Sequence, residues 1–245
     1  MHSVNAFFNS DIPFVSFSQP HWGAMVVFVI FLLIFVSVPQ RLTEEQNLLL
    51  TRAASIFLSL TVVIWTAIHI SYGRFNAADN LPLSICNLFS LIAPLLFWQP
   101  NPRRFEIIYF FVLSGTLQAI ITPDPDAGYP SYEFLKYWIV HGGLVVVVLH
   151  HLLAFKLYPR PQGILRTFMW LNIYILCLIP INLWLDANYF YMMNKPPNPS
   201  LLDFFGPWPI YIVVTEVVAM GFFALAYLPI YIARKKNPKL DTIGP

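Results

Sequence analysis

Two side chains in apolar stretches have the types needed for nucleophilic chemistry. Cys86 lies in an apolar run that starts near residue 81, and His141 lies in a later run. A cysteine is strongly nucleophilic once deprotonated, and an imidazole within hydrogen-bond reach can take its proton while a third polar group orients the ring. The pair therefore permits acyl transfer through a thiolate.

Further polar residues fall at a similar depth in neighbouring apolar runs. At about 1.5 Å per residue, the polar positions lie roughly 7 to 11 Å inside the ends of their predicted helices. Such groups are costly inside a bilayer unless they face a partner or a cavity. We therefore expect one polar chamber, in which the following residues support the pair: Asn87, Asn182, Asp186 and Glu216.

Each of these residues also has a purely structural explanation. A cysteine in an apolar helix can be a small packing residue, and a helical histidine can form a single interhelical hydrogen bond. Glu216 can be a neutral acid bonded to a neighbouring helix. Other candidate residues are His69, near the chamber, and the adjacent His150 and His151 on the opposite side of the membrane.

Composition places the chain in a membrane. Of its 245 residues, 58% are hydrophobic, only 11% are charged and 17% are aromatic, with a mean hydropathy of +0.64. A soluble fold could not bury that much apolar surface, and aromatic rings are favoured at the two membrane interfaces. The cysteines, Cys86 and Cys177, both lie in apolar runs, so no disulfide framework is indicated. We find no cleavable signal peptide pattern.

The pattern predicts an all-α transmembrane bundle of about seven helices, forming one domain over residues 1–245. An apolar run of about 20 residues can cross the hydrocarbon core. The predicted spans are 21–38, 53–71, 81–98, 105–122, 134–157, 165–185 and 209–233. We expect Pro94, Pro180 and Pro229 to kink their spans, SLLD at 200–203 to form a short interfacial helix over the chamber, and GPWP at 206–209 to set the start of the last helix.

Basic residues predict an orientation with the N-terminus outside and the C-terminus in the cytoplasm. Of the 14 Lys and Arg, three lie on one side of the predicted spans, namely Arg74, Lys136 and Lys195, and the other eleven lie on the opposite side. Positive charge is retained on the cytoplasmic side. We attribute these basic residues to topology and contact with anionic lipids, and assign no chemistry to them.

Several motifs resemble those of a known family. LPLSIC at 81–86, TPD at 122–124, His141, the stretch from Asn188 to Tyr211 and Glu216 resemble the YwaF-like integral membrane proteins of bacteria, which are related to eukaryotic transmembrane protein 164. The resemblance covers roughly residues 20 to 235. Ser84 stands where many bacterial members have a histidine.

The resemblance implies a helical bundle and a cysteine- and histidine-dependent acyltransferase acting on phospholipids, in which Cys86 and His141 take the two catalytic positions. The resembling motifs add Asp124 and Asn188 as supporting residues, and Tyr189 and Trp208 are candidates to cap a lipid pocket. We expect a multi-pass protein of the bacterial cytoplasmic membrane whose partners are membrane lipids, with no nucleic acid. No metal-ligand spacing or phosphate loop is visible, so no metal and no cofactor are expected.

The sequence is compatible with three functions. The leading hypothesis is a lipid acyltransferase or hydrolase that uses Cys86 as nucleophile and His141 as base and then acid. The second is a proton-coupled transporter of small solutes, in which Glu216, Asp186 and His141 form a protonatable site. The third is a non-catalytic membrane protein whose polar residues only hold the helices together.

Overall fold

The computed structural model describes residues 7–8, 11–196 and 200–237, and all regular structure in those residues is helical. The α-helices are α1 (Gln19–Ser37), α2 (Glu44–Ser71), α3 (Ile85–Leu91), α4 (Ala93–Phe97), α5 (Pro102–Phe111), α6 (Leu117–Ile121), α7 (Tyr132–Ala154), α8 (Gln162–Leu185) and α9 (Ile210–Lys236). A π-helical turn, Val112–Thr116, joins α5 to α6, and short 3-10 helices occur at Pro39–Arg41, Tyr189–Tyr191 and Leu201–Phe205. The predicted all-α class is confirmed.

Six helical stretches in the described part of the chain are long and apolar enough to cross a membrane. They are Gln19–Arg41, Glu44–Ser71, Pro102–Ile121, Tyr132–Ala154, Gln162–Leu185 and Ile210–Lys236. These stretches correspond to six of the seven predicted spans and establish a polytopic helical bundle.

The remaining predicted span, 81–98, was wrong as a continuous helix. It contains only α3 and α4, of 7 and 5 residues, because Pro94 in the first turn of α4 cannot continue the α3 hydrogen-bond ladder. The two pieces nevertheless run antiparallel to α2, since the Ser59 hydroxyl donates to the Leu91 carbonyl at 2.7 Å and Arg52 Nε donates to the Trp98 carbonyl at 3.0 Å. The segment thus passes along α2 as a broken helix.

The bundle has two ends, which are named here by their contents. The connections 72–84, 122–131 and 186–209 form the thiol end, where the Leu81 amide donates to the Tyr189 hydroxyl at 2.9 Å. The connections 38–43, 98–101 and 155–161 lie at the arginine end, where Arg234 donates to the Tyr158 carbonyl at 3.2 Å.

Helix α7 is the central helix of the bundle. Of its most apolar stretch 61% is buried, against 6% for α1 and 11% for α9. Helices α1 and α2 both pack against α7. This packing is close at Gly143, where a Cβ would lie 2.6 Å from Cδ2 of Leu58, so a larger residue would require the Leu58 side chain to move.

The smaller features predicted from the sequence can be located in the structure, apart from one residue. The SLLD segment is helical, as the 3-10 helix Leu201–Phe205, and the Ser200 amide donates to the Asp203 carboxylate at 2.8 Å. Pro180 and Pro229 lie inside α8 and α9, and GPWP directly precedes α9. Lys239, which was counted in the orientation argument, lies outside the described residues.

Candidate functional site

The Cys86 thiol lies in the first turn of α3, at the thiol end. Its Sγ is 3.3 Å from the Thr116 hydroxyl oxygen, so the thiol is within hydrogen-bond distance of the π-helical turn. The side chain is half-buried, and Lys136, Tyr137 and Tyr174 lie within electrostatic range of the sulfur. The thiol is therefore surrounded by polar groups from three other helical elements.

Two tyrosines hold the LPLSIC segment in place. The Tyr189 hydroxyl accepts from the Leu81 amide and donates to the Ala77 carbonyl at 2.8 Å. The Tyr174 hydroxyl donates to the Leu83 carbonyl. The backbone on both sides of the sharp turn into α3 is thus fixed, which sets the direction of the Cys86 side chain.

Asn182 positions Tyr189 in turn. Its amide oxygen accepts from the Tyr189 N–H at 2.8 Å, and its amide nitrogen donates to the Tyr189 carbonyl at 3.0 Å. Burial raises the pKa of the Tyr189 phenol, so its hydroxyl remains a donor above neutral pH. The following residues, Phe190 and Tyr191, have left-handed φ values of 61° and 53°, a conformation that costs about 1–3 kcal/mol per residue and persists only where surrounding contacts impose it.

His141 lies one turn after Tyr137 on α7. Its Nδ1 is 2.8 Å from the Tyr137 carbonyl, and its ring packs on the Tyr137 ring with centroids 4.1 Å apart. A carbonyl can only accept, so Nδ1 carries the hydrogen and Nε2 of the neutral ring keeps its lone pair. No direct hydrogen bond joins Cys86 to His141; Tyr137 packs on His141 and lies within electrostatic range of Cys86.

A buried charged cluster adjoins the thiol. Glu133 accepts from the Trp65 indole N–H at 2.7 Å and pairs with His69 Nε2 at 3.1 Å. Lys136 Nζ lies 4.0 Å from the centre of the Trp65 ring, and Glu133, Cys86 and His141 are all within its electrostatic range. Assigning Lys136 to topology and lipid contact alone was wrong, because only 7% of its surface is exposed.

Sequence reasoning missed five residues of this neighbourhood: Thr116, Glu133, Lys136, Tyr137 and Tyr174. The only available signal was the spacing of Glu133 and Lys136, which puts both on one face of a helix. Glu133 follows Ser131, whose hydroxyl caps α7 by accepting from the Phe134 amide, and an acid at that position is ordinarily an exposed partner of the helix dipole. Nothing local indicates that α2 covers it.

The other predicted supporting residues have separate surroundings. The Asp124 amide donates to the Tyr137 hydroxyl at 3.1 Å, so its backbone borders the site. The Asn188 side chain accepts from the Met193 and Asn194 amides and organises its own turn. Asp186 is the exposed left-handed cap of α8, with φ 52°.

Two further predicted residues contribute little to the thiol neighbourhood. Asn87 is half-buried on α3 beside Cys86, and its side chain makes no hydrogen bond within the described residues. Trp208 is 59% exposed, and its indole N–H donates to the Met192 carbonyl at 3.2 Å. An exposed ring tied to the connection before α9 suits a membrane interface.

Glu216 does not join the Cys86 neighbourhood. It lines a different, apolar pocket between α8, α9 and the Tyr189–Tyr191 turn. The expectation of a single chamber containing Cys86, His141 and Glu216 therefore does not describe the arrangement. Depth along a helix is readable from sequence, but the direction in which each side chain points depends on how the helices pack.

The histidine pair on α7 lies away from the thiol, as expected. His150 Nδ1 is 3.1 Å from the Phe35 carbonyl, and His151 is enclosed by aromatic rings, including Phe97 and Phe155. Across the described ranges, no group of three or more His, Cys, Asp or Glu residues is placed to hold a metal ion. The geometry assigns no cofactor to these residues.

Comparison with known proteins gives one match. The model of a protein family described as the TMEM164 family matches residues 16–227. No curated protein and no solved structure matches this chain. The predicted kinship with transmembrane protein 164 is confirmed, while the narrower YwaF-like assignment stays a prediction.

Proposed function

We propose, from the premise that the chain belongs to the TMEM164 family of membrane proteins, that it is a membrane-embedded lipid acyltransferase or hydrolase with Cys86 as nucleophile and His141 as base. The observation that carries the proposal is the position of Tyr137. Its ring packs on His141, and its side chain is within electrostatic range of the Cys86 sulfur. Thiol and imidazole therefore share one neighbour in a polar part of an otherwise apolar bundle.

The His141 imidazole has the tautomer that a base requires. The bond from Nδ1–H to the Tyr137 carbonyl fixes the tautomer, which leaves Nε2 free to accept a proton. Catalytic hydrogen bonds are often long before substrate binds, so the lack of a direct Cys86–His141 hydrogen bond is compatible with the pair.

The reaction then has two balanced halves. The Cys86 Sγ–H proton passes to His141 Nε2 as the sulfur attacks the ester carbonyl carbon of a lipid, and the ester C–O bond breaks while the leaving alkoxide takes the proton from His141. An acceptor hydroxyl or water then loses its proton to His141 and attacks the thioester. The C–S bond breaks, the thiolate regains the proton, and the acyl group leaves as an ester or an acid.

Lys136 supplies electrostatic stabilisation in this account. Its ammonium lies within range of both Cys86 and His141, so it favours the thiolate and the oxyanion that forms on the attacked carbonyl. Glu133 accepts from the Trp65 indole and attracts the Lys136 ammonium, and burial strengthens both interactions relative to water.

An activity assay with isotopically labelled phospholipid tests the proposal. The purified chain in lipid nanodiscs receives a labelled acyl donor together with a lysolipid acceptor, and product lipids are followed by mass spectrometry. We expect Cys86→Ala and His141→Ala each to reduce acyl transfer and release by at least about 100-fold, since general acid–base catalysis alone contributes about 10²–10⁴-fold.

The chain contains its own matched control. Cys177 is an exposed cysteine on α8, so Cys177→Ala should leave the rate unchanged. Equal rates in native protein, Cys86→Ala and Cys177→Ala would reject the proposal, provided that all three variants keep their thermal stability.

We further propose that the thiol end faces the outer leaflet of the bacterial cytoplasmic membrane, with membrane lipids as the partners. The support is the count of basic residues, because only three of the 14 fall on the thiol-end side of the predicted spans. Accessibility of cysteines introduced at each end to impermeant reagents measures this orientation.

No observation favours the transport hypothesis over acyl transfer. Its three protonatable residues have different surroundings, with Glu216 in an apolar pocket, Asp186 exposed at a helix cap and His141 beside Tyr137. Proton-coupled uptake abolished by Glu216→Gln, with Cys86→Ala silent, would nevertheless establish it.

A further inference from the structure

An apolar pocket lies at the thiol end, on the side of the bundle formed by α8 and α9. Its cavity volume is about 70 Å³. Its walls come from Leu171 and Ile175 of α8, Ile212 and Ala219 of α9, and Phe190. The cavity is too small for a whole lipid, but its concave apolar wall between two membrane helices suits part of a hydrocarbon chain.

Glu216 is the one ionisable carboxyl group that lines this pocket in the described part of the chain. It forms no hydrogen bond or ion pair there. The two nearby hydroxyls are already committed, because Tyr211 donates to the Tyr191 carbonyl at 2.6 Å and Thr215 donates to the Tyr211 carbonyl at 2.7 Å. An ionisable group in a membrane helix is ordinarily paired, and none of the residues that the structure describes donates to this one.

A neighbouring cation does not neutralise this carboxyl group. Lys195 Nζ lies 5.6 Å from the centre of the Tyr211 ring and makes no ion pair with Glu216. A ligand that pairs with Glu216 should therefore carry a hydrogen-bond donor, preferably positively charged, at the end of an apolar chain.

The rim of the pocket favours access from a bilayer. Leu202 of the short 3-10 helix Leu201–Phe205 lines the pocket, while its neighbours Leu201 and Phe204 are 58% and 85% exposed. Trp208, just before α9, is also exposed. Large exposed apolar side chains at the end of a membrane bundle belong in the interface, so a lipid chain can pass over them into the pocket.

We propose that this pocket binds a single-chain amphiphile with an ammonium head group, its hydrocarbon chain between α8 and α9 and its ammonium on the Glu216 carboxylate. The pocket is distinct from the thiol neighbourhood, because neither Cys86 nor His141 lines it. The proposal therefore holds whether or not Cys86 transfers acyl groups.

Photolabelling with matched probes tests the site. The full chain in nanodiscs receives a diazirine-bearing long-chain alkylamine or the identical chain ending in a carboxylate, and labelled peptides are mapped by mass spectrometry. We expect the amine to label the Tyr211–Ala219 peptide at least about tenfold more than the carboxylate, and Glu216→Gln to remove most of that difference.

Two variants on one helix separate occupancy from folding. Ala219→Phe fills the pocket and should abolish labelling by the amine, whereas Ala224→Phe, on an exposed position of α9, should leave it unchanged. Equal labelling by the two probes in native protein would overturn the proposal. Undiminished labelling in a folded Ala219→Phe variant would do the same.

Discussion

Two buried carboxylates at opposite ends of the bundle are held in contrasting ways. Glu106, at the arginine end, binds Arg160 Nε and Arg166 Nη1, both at 2.7 Å, and also accepts from the Arg160 amide. Glu133, at the thiol end, binds the Trp65 indole and His69 Nε2 and lies near Lys136. Each carboxylate is less than 10% exposed, yet only Glu133 adjoins a nucleophile.

The partners determine what each cluster can do. The hydrogen bond and charge of Glu106 raise the pKa of Arg160, so this guanidinium stays charged and fixes the chain. The partners of Glu133 include an imidazole and an ammonium that can exchange protons. We infer that the arginine end clamps the helices, while the thiol end controls reactivity.

The largest expected effect is on stability at the arginine end. Glu106→Ala leaves two guanidinium groups without their carboxylate and should lower the free energy of unfolding by about 2–3 kcal/mol, below the full cost of breaking a buried pair because both arginines are partly exposed. The thermal midpoint in detergent should fall by about 5–10 °C. Glu45→Ala, at an exposed position of α2, is the control and should change stability by less than about 0.5 kcal/mol.

The division of roles between the two ends would fail if Glu106→Ala also changed the reactivity of the Cys86 thiol. At temperatures where the variant is folded, we expect its Cys86 alkylation rate to match that of the native protein. A tenfold change would show that the two ends are coupled.

The next effect concerns the reactivity of Cys86. Lys136→Met removes the ammonium that attracts the thiolate and should slow alkylation by a small uncharged thiol reagent about tenfold, equivalent to about 1.4 kcal/mol. Measurement in a Cys177→Ala background isolates Cys86. Arg166→Met is the matched control, because the Arg166 guanidinium pairs with Glu106 at the arginine end. Comparable slowing of Cys86 alkylation in that variant would contradict the division of roles between the two ends.

A smaller effect concerns alkaline pH. Burial raises the pKa of Tyr189 above its usual value of about 10, so the stability that this phenol contributes is complete below about pH 10 and is lost as pH rises through the raised pKa. Tyr189→Phe should cost about 1 kcal/mol through its two hydrogen bonds and remove this part of the alkaline loss. Unfolding curves at pH 8 and above measure both, and an unchanged alkaline slope in the variant would exclude the assignment.

The smallest effect tests the role of Glu133 itself. Glu133→Gln keeps an acceptor for Trp65 but removes a negative charge close to Lys136, so the ammonium acts on Cys86 with less compensation. Alkylation should then accelerate about threefold. Slower alkylation would mean that Glu133 chiefly orients Lys136 and that its charge matters less.

The sequence allowed much of the framework to be predicted. Continuous apolar runs identified six long helices, because membrane spanning depends on local hydropathy. The break at Ile92 was not predicted, although Pro94 was expected to kink its helix. Whether a proline kinks a helix or ends it depends on whether neighbouring helices can satisfy the backbone groups that the proline leaves without hydrogen bonds.

The composition of the site could not be predicted to the same extent. Glu216 and Cys86 lie at similar depths, yet α9 directs Glu216 into the lateral pocket. Lys136 was assigned to topology because a basic residue near a helix end is usually exposed, whereas here Trp65 of α2 covers it. Both outcomes depend on helix rotation and packing, which hydropathy does not encode.

The acylation state of Cys86 tests the central claim most directly. The chain in nanodiscs is incubated with a phospholipid donor in the absence of acceptor, and its intact mass and cysteine peptides are then determined. The account predicts one added acyl group on Cys86, released by neutral hydroxylamine and absent from Cys177. An unmodified Cys86, or equal acylation of both cysteines, would contradict it.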